Sequence, residues 1–245
     1  MVSVSEASGG QVFLLEPSEL ASSATLLTAR DGLEEVLRRV VGEVEPGVHS
    51  SEVAVDRSVE RMLFSISLQC LQEIDVVRPS GAVVTASDPD VTWTAFQAGR
   101  QIGVQSPEAG TWTVRLAGKG LMFLVVHARA SIALEGARLV RQGGRPGHEG
   151  LFDDPASLEP GTRRLMEVRV SKGLVGPDFE MRASNDRVLG VLQPSTHVVD
   201  DEEQMFLFDF VVPSQPFRIV VTGRDRTGKA VQRAQGSLFI LKQTR

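Results

Sequence analysis

The sequence predicts a mainly β protein in which two tandem β-sandwiches follow a short strand-and-helix segment. From about Val48 onward, apolar residues alternate with polar ones in many places, which is the period of two that marks half-buried strands. Gly, Pro and Asp separate these runs at a spacing of about 8–12 residues, as in all-β sandwiches. A polar, Gly-rich stretch at Gln142–Gly150 divides the β region in two and is predicted to be a linker.

Residues 1–45 have a different pattern. Gln11–Leu15 is a short apolar run after two glycines, and it is predicted to be a buried strand. A helix is predicted from Asp31, because the apolar residues that follow have the spacing of one helical stripe. These residues are Leu33, Val36, Leu37, Val40 and Val41. Asp31 with Glu34 suits the start of this helix, and Gly42 suits its C-terminal cap.

The first sandwich is assigned to residues 48–141. Its clearest strand places apolar side chains on one face, namely Met62, Phe64, Ile66, Leu68 and Cys70. Because Cys70 shares that face, we expect its thiol to be buried and unreactive. The other predicted strands are Glu73–Val77, Ala82–Ala86, Thr92–Phe96, Arg100–Val104, Thr111–Leu116, Met122–Ala128 and Ile132–Val140.

The second sandwich is assigned to residues 151–245. About seven short strands in this length suit an immunoglobulin-like sandwich, although the Cys–Trp–Cys pattern of antibody domains is missing. The predicted strands are Leu165–Val170, Phe179–Ala183, Val188–Leu192, Gln204–Val212, Phe217–Thr222 and Gly236–Leu241, with a polar turn at Arg224–Gly228.

Composition excludes several classes of function. The 245 residues carry a net charge of −5 and have no Lys/Arg-rich run, which argues against a nucleic-acid-binding protein. The most apolar run, Leu121–Val126, is far shorter than the ~20 residues that a membrane-spanning helix needs. The first ten residues lack the basic and apolar regions of a secretory signal. A single cysteine excludes an intrachain disulfide and leaves the compartment open.

Three stretches together resemble one family of extracellular proteins. Gly9–Phe13 and the predicted helix ending at Leu33–Val41 resemble the last strand and last helix of a von Willebrand factor A domain. Val55–Gly81 with Ser106–Val114 resembles the galactose-binding-like segment that follows that domain in the family of hemicentins and von Willebrand factor A domain-containing protein 7. Pro216–Asp225, with Gln232-Arg233, resembles the Ig-like module that comes next in those proteins, and the order of the pieces matches.

The resemblance implies that residues 1–45 are the end of an A domain, residues 48–141 a galactose-binding-like sandwich and residues 151–245 an Ig-like sandwich. An A domain holds a divalent cation through an Asp-x-Ser-x-Ser loop, whose hard oxygens suit Mg²⁺. Asp56–Glu60 is only superficially similar, because Glu60 replaces the last serine and leads into a strand. No metal or cofactor residue is therefore expected.

No catalytic constellation is predicted. His49, His127, His148 and His197 are scattered, and none has a partner at i+2 or i+4. The acidic runs are Asp88–Asp90, Asp153-Asp154 and Asp200–Glu203; we expect solvated turns, and a loose Ca²⁺ site at one of them is the alternative. Gly223–Lys229 ends like a phosphate loop but is predicted to be a hairpin. Trp93 and Trp112 lie in alternating strands and are expected in the core, the alternative being sugar stacking.

The resemblance implies a non-enzymatic, secreted adhesion or matrix protein that binds other extracellular proteins through its sandwiches. The alternatives are a carbohydrate-binding module and an accessory domain of a secreted hydrolase. We also expect the two sandwiches to fold independently, with proteolysis in Gln142–Gly150. Residues 1–45 are expected to be the least stable part, because the predicted helix lacks the sheet that would cover its apolar stripe.

Overall fold

The computed structural model describes residues 2–200 and 203–242. It is mainly β, as predicted, with 60% strand and 6% helix, arranged in several antiparallel sheets. The helical elements are α1 (Val2–Ser8), a 3₁₀ helix (Pro17–Ser22) and α2 (Ser23–Thr28). The strands of the first half are β1 (Glu35–Val55), β2 (Val59–Val77), β3 (Val91–Phe96), β4 (Gly99–Gln105) and β5 (Gly110–Ala130).

The strands of the second half follow from residue 134 onward. They are β6 (Leu134–Gly143), β7 (Gly150–Asp153), β8 (Arg163–Ser171), β9 (Val175–Arg182), β10 (Val188–Leu192), β11 (Thr196–Val199), β12 (Glu203–Val211), β13 (Arg218–Arg224) and β14 (Ala230–Ala234). No helix in the described residues is long and apolar enough to cross a membrane.

The predicted helix from Asp31 is wrong, because strand β1 begins at Glu35. The predicted strand at Gln11–Leu15 is also wrong, because these residues have no regular secondary structure. The cause is burial on both faces of β1. Leu37 and Val40 enter the core of the first sheet, whereas Val36 packs on its opposite face. A strand covered on both sides loses the period of two, and a bulge between Val36 and Arg38 shifts the pattern further.

The first sheet, in the order β1-β5-β2-β4-β3, folds over on itself around one core. Its long strands bend at the same level, where the pairing slips between Val44 and Gly47 of β1 and between Leu68 and Cys70 of β2. The bend brings the two halves of the sheet together: the rings of Phe64 and Trp112 lie 6.0 Å apart.

The same bend exposes Cys70, so the prediction of a buried thiol is wrong. Met62 through Leu68 keep the expected alternation, with Met62, Phe64, Ile66 and Leu68 fully buried. The β-bulge after Leu68 then breaks it, and Cys70 pairs with the exposed Lys119. A bulge of one residue moves the following side chains to the other face.

The second half forms a sandwich of two sheets, β11-β12-β8-β6-β7 and β10-β9-β13-β14. Its core is rich in phenylalanine, and Phe179 of β9 contacts Phe206 and Phe208 of β12 across the gap, with ring centroids 4.8 and 4.9 Å apart. Most predicted strands are present. The last strand is β14, at Ala230–Ala234, whereas Gly236–Leu241 makes only isolated bridges at Phe239 and Leu241.

The predicted linker Gln142–Gly150 is instead part of a hairpin. Strand β6, which includes Gln142 and Gly143, pairs with β7 on one side and with β8 on the other. Residues 144–149 therefore connect neighbouring strands of one sheet, and the chain passes between the two halves at residues 131–133.

The two halves are joined by a buried ion pair. Arg233 of β14 and Asp56, at the turn between β1 and β2, are both 0% exposed, and their Nη2 and Oδ2 atoms lie 2.7 Å apart. These two atoms are too poorly aligned for a hydrogen bond, so the contact is an ion pair. Arg233 also donates hydrogen bonds to the Ser58 hydroxyl and the Ile132 carbonyl. Val36, Val125, Val220 and Ala234 form an apolar cluster beside this joint.

Residues 2–33, which we call the N-terminal strap, cover the outer face of the first sheet. Glu6 is buried between Arg39 of β1 and Arg218 of β13, at 2.7 and 2.6 Å. Leu26 is 0% exposed, and its carbonyl accepts a hydrogen bond from the Gln101 side chain. The apolar residues that were expected to lack a covering sheet are all buried, namely Leu33, Val36, Leu37, Val40 and Val41.

Candidate functional site

The four histidines lie in separate places. His127 is buried, and His49 donates a hydrogen bond to the Glu45 carbonyl at 2.7 Å. His148 lies exposed in the loop between β6 and β7, and His197 stacks on Phe206 with ring centroids 4.2 Å apart. Within residues 2–200 and 203–242, no group of three His, Cys, Asp or Glu residues is arranged to hold a metal ion.

The acidic runs pair with arginine. Arg78 lies 3.0 Å from Asp88 and 2.9 Å from Asp90. A hydrogen bond from the Thr85 hydroxyl, with a further one from Arg78, lowers the pKa of Asp88, and Arg78 lowers the pKa of Asp90. These carboxylates are therefore ionised at neutral pH, and their charge is already balanced by a guanidinium.

The other two acidic runs have the same kind of partner. Asp153 and Asp154 pair with Arg138 and Arg164, at 2.7 and 3.4 Å. In the third run Glu203 pairs with Arg169 at 2.8 Å, and positions 201 and 202 lie outside the described residues.

The remaining motifs have structural surroundings. Asp56, the first residue of the metal-like motif, is the partner of Arg233 in the buried joint. Gly223–Lys229 is the hairpin between β13 and β14, as predicted. Trp112 is fully buried and donates to the Glu108 carbonyl, and Trp93 is half-buried against the same core. Both tryptophans pack in the core as predicted.

The feature that the sequence did not reveal is an exposed apolar edge on the second half. Strands β10 and β11 are terminal strands of the two sheets of the sandwich, and residues 193–195 connect them directly. Four valines are exposed on these strands: Val188 by 47%, Val191 by 59%, Val198 by 46% and Val199 by 51%. We call this surface the valine edge.

The valine edge lacks the protection usual at sheet edges. Edge strands normally carry charges or proline, or are covered, because their unpaired N–H and C=O groups can pair with another chain. Strand β1, at the end of the first sheet, is protected by Glu43, Glu45, Pro46 and Glu52. Strand β14, at the end of a sheet in the second half, is covered by part of β1. Strands β10 and β11 have no charged residue (VLGVL and THVV).

The residues that follow β11 in the sequence are acidic. Strand β11 leads into the acidic run at residues 200–203, where the Glu203 amide donates to the Asp200 carboxylate at 2.8 Å. In sequence, β10 and β11 look like buried strands, because valine without charge is typical of a core. Only the strand order shows that they lie at the ends of both sheets.

Comparisons with known proteins leave the family open. No protein-family model matches the sequence, and no curated protein matches it. Among solved structures, the lipase BlEst2 of Bacillus licheniformis in its propeptide form overlaps with 79% of this chain at 13% identity and a TM-score of 0.29. The overlap covers 43% of the lipase chain, and it is too loose to establish a common fold.

Proposed function

We propose that this chain is a non-enzymatic interaction module of an extracellular protein, and that it binds a partner protein through the valine edge. The observation that carries the proposal is the exposure of four valines on two uncharged edge strands that follow each other along the chain. Exposed apolar surface of this kind marks an interaction site, since water disfavours it.

The chemistry of the edge favours an extended partner segment. Such a segment adds a strand to β11, its main chain pairs with the open strand edge, and its alternate side chains contact the valines.

The strand order supports the Ig-like interpretation of the second half. In one sheet the strand order β11-β12-β8-β6 corresponds to strands D-E-B-A of an immunoglobulin-type sandwich. In the other sheet the order β10-β9-β13-β14 corresponds to strands C′-C-F-G. The extracellular location and the galactose-binding-like assignment of the first half rest on the sequence resemblance alone.

An array of purified extracellular and cell-surface ectodomains tests the proposal. The probe is the full chain, tetramerised, as wild type and with Val191→Lys plus Val198→Lys. Val48→Lys is the matched control, because Val48 is 72% exposed but lies on β1. Exposed substitutions change stability by less than about 0.5 kcal/mol, so all three probes should be folded.

We expect some ectodomains to bind the wild-type chain and the Val48→Lys variant but not the variant with Val191→Lys plus Val198→Lys. Equal binding of all three probes would place the interface elsewhere. Binding to a glycan array without binding to any ectodomain would replace the proposal with the carbohydrate-binding alternative.

A further inference from the structure

His127 lies beneath the N-terminal strap, on the outer face of β5, and is 0% exposed. Its Nδ1 accepts a hydrogen bond from the Gln11 side chain at 3.0 Å, and Gln11 also donates to the Ser65 hydroxyl at 3.3 Å. The Nε2 atom of His127 is buried and has no hydrogen-bond partner in the described residues. The neutral ring therefore accepts a hydrogen bond from the strap, and the Gln11 side chain is the donor.

The charged groups around His127 are mainly positive. Arg39 faces it from β1 and Arg30 from the strap, and both disfavour a second positive charge. Glu6, the nearby carboxylate of the strap, is already held by Arg39 and Arg218. Arg61 of β2 donates to the Ala29 carbonyl of the strap, and Arg129 of β5 pairs with Glu60 at the surface. The neighbours Ser65 and Gln101 on β2 and β4 are neutral.

We propose that the N-terminal strap is an acid-released cover, and that protonation of His127 detaches it from the outer face of the first sheet. A protonated ring has two N–H donors, so Nδ1 can no longer accept from Gln11. The charged imidazolium would also lie buried next to two arginines. Lifting the strap exposes the ring to water and removes both penalties. The release uncovers a face that includes Leu63, Ser65, Ser67 and Gln101.

The direction of the pH effect follows from the two states. Burial, together with the charges of Arg30 and Arg39, lowers the pKa of His127 from 6.5 to about 3 in the covered chain. In the released chain the exposed ring recovers a pKa of about 6.5. Protons therefore bind the released state more strongly, and the strap loses stability as pH falls below about 6.5. Between pH 7.5 and pH 5.0 the opening constant should rise about 30-fold.

Thiol labelling measures this opening in the full chain. Cys70, the single cysteine, is replaced by serine, and Ser67 is replaced by cysteine, because Ser67 is 1% exposed and accepts from the Leu14 amide of the strap. The labelling rate with 4,4′-dithiodipyridine is divided by the rate of the same chain unfolded in urea at each pH. We expect this ratio to rise about 30-fold between pH 7.5 and pH 5.0.

Two histidine variants separate the proposal from general acid destabilisation. His127→Gln cannot titrate and should remove the rise, whereas His148→Gln, at an exposed loop position, should keep it. An unchanged ratio in the His127-containing chain, or the same rise in His127→Gln, would overturn the proposal. If His127→Gln does not fold, NMR titration of the unmodified chain decides: a His127 ring that titrates below pH 4 supports the proposal, and one that titrates near pH 6.5 refutes it.

Discussion

At the scale of single residues, this chain depends on charges that are buried in pairs. Asp56 and Arg233 are both fully buried, and Glu6 lies between Arg39 and Arg218. Removing one partner of such a pair leaves a charge that neither water nor the protein compensates, which is far more costly than losing a surface pair.

Asp56→Asn should therefore lower the free energy of unfolding by about 3–5 kcal/mol, as measured by urea titration. Asparagine keeps an oxygen for the Ser58 amide, whereas its NH2 group replaces the oxygen that faces the Arg233 Nη2 atom and brings two donors together. Asp153→Asn is the control: Asp153 is 79% exposed in its pair with Arg138, and the expected loss is below about 1 kcal/mol. Equal losses in both variants would show that the Asp56–Arg233 pair has no special role.

Cys70 is the second test at this scale. Because its side chain is exposed, it should react with a thiol reagent in native buffer about as fast as in denatured chain. A thiol that reacts only after denaturation would mean that the bulge between Leu68 and Cys70 is absent. Alternation along β2 predicted the core positions from Met62 to Leu68 but could not predict this bulge, which depends on the bend of three paired strands.

At the scale of elements, the bend of the first sheet depends on glycine in β5. Gly118 has φ +150, and a Cβ atom there would lie within 2.3 Å of the Cys70 carbonyl oxygen. Gly47, at the bend of β1, has a similar φ of +154, but a Cβ there would meet nothing within 4 Å. Both glycines have a φ angle that other residues rarely adopt, but only Gly118 lacks the space for a side chain.

Gly118→Ala should destabilise the chain more than Gly47→Ala, by about 1–3 kcal/mol, because only the former adds a steric clash. Thermal or urea unfolding of the two variants measures this difference directly. Comparable stabilities would mean that β2 and β5 can move apart at the bend without loss of packing.

The elements that were predicted correctly are those in which apolar and polar residues alternate along the strand. Much of β12, with Phe206, Phe208 and Phe210 inward and Asp209 outward, is evident from alternation alone. Strand β1 was mistaken for a helix because the strap and the second half cover the face that normally carries polar residues. The valine edge was missed for the opposite reason: valines that look like core residues lie at the ends of the sheets. Local pattern cannot show which strand is last in a sheet.

At the scale of the whole molecule, the two halves are held together by side chains from distant parts of the sequence. Besides the Asp56–Arg233 pair, Arg38 lies 2.6 Å from Asp186, and the Gln232 side chain donates to the Leu37 carbonyl. The Val41 amide donates to the Ser184 carbonyl at 2.7 Å. These contacts favour one rigid body over two independently moving sandwiches.

Cleavage by a glutamate-specific protease after Glu149 tests this arrangement. Glu149 lies in the exposed loop between β6 and β7, and both strands remain hydrogen-bonded in one sheet after the cut. The nicked chain should elute as one species in native size-exclusion chromatography and separate into two fragments only in denaturant. Separation under native conditions would instead favour the original expectation of a linker between independent sandwiches.

The position of Glu6 also constrains how this protein is made. Its partner Arg218 lies 212 residues further along the chain. At about 5–20 residues per second, a ribosome needs about 10–40 s to synthesise that interval. During this time the strap has emerged, the first sheet is being completed, and the site for Glu6 lacks its second arginine. The strap leaves the ribosome before the sheets that it joins, yet it is among the last segments to reach its final place, and until then it is available to chaperones.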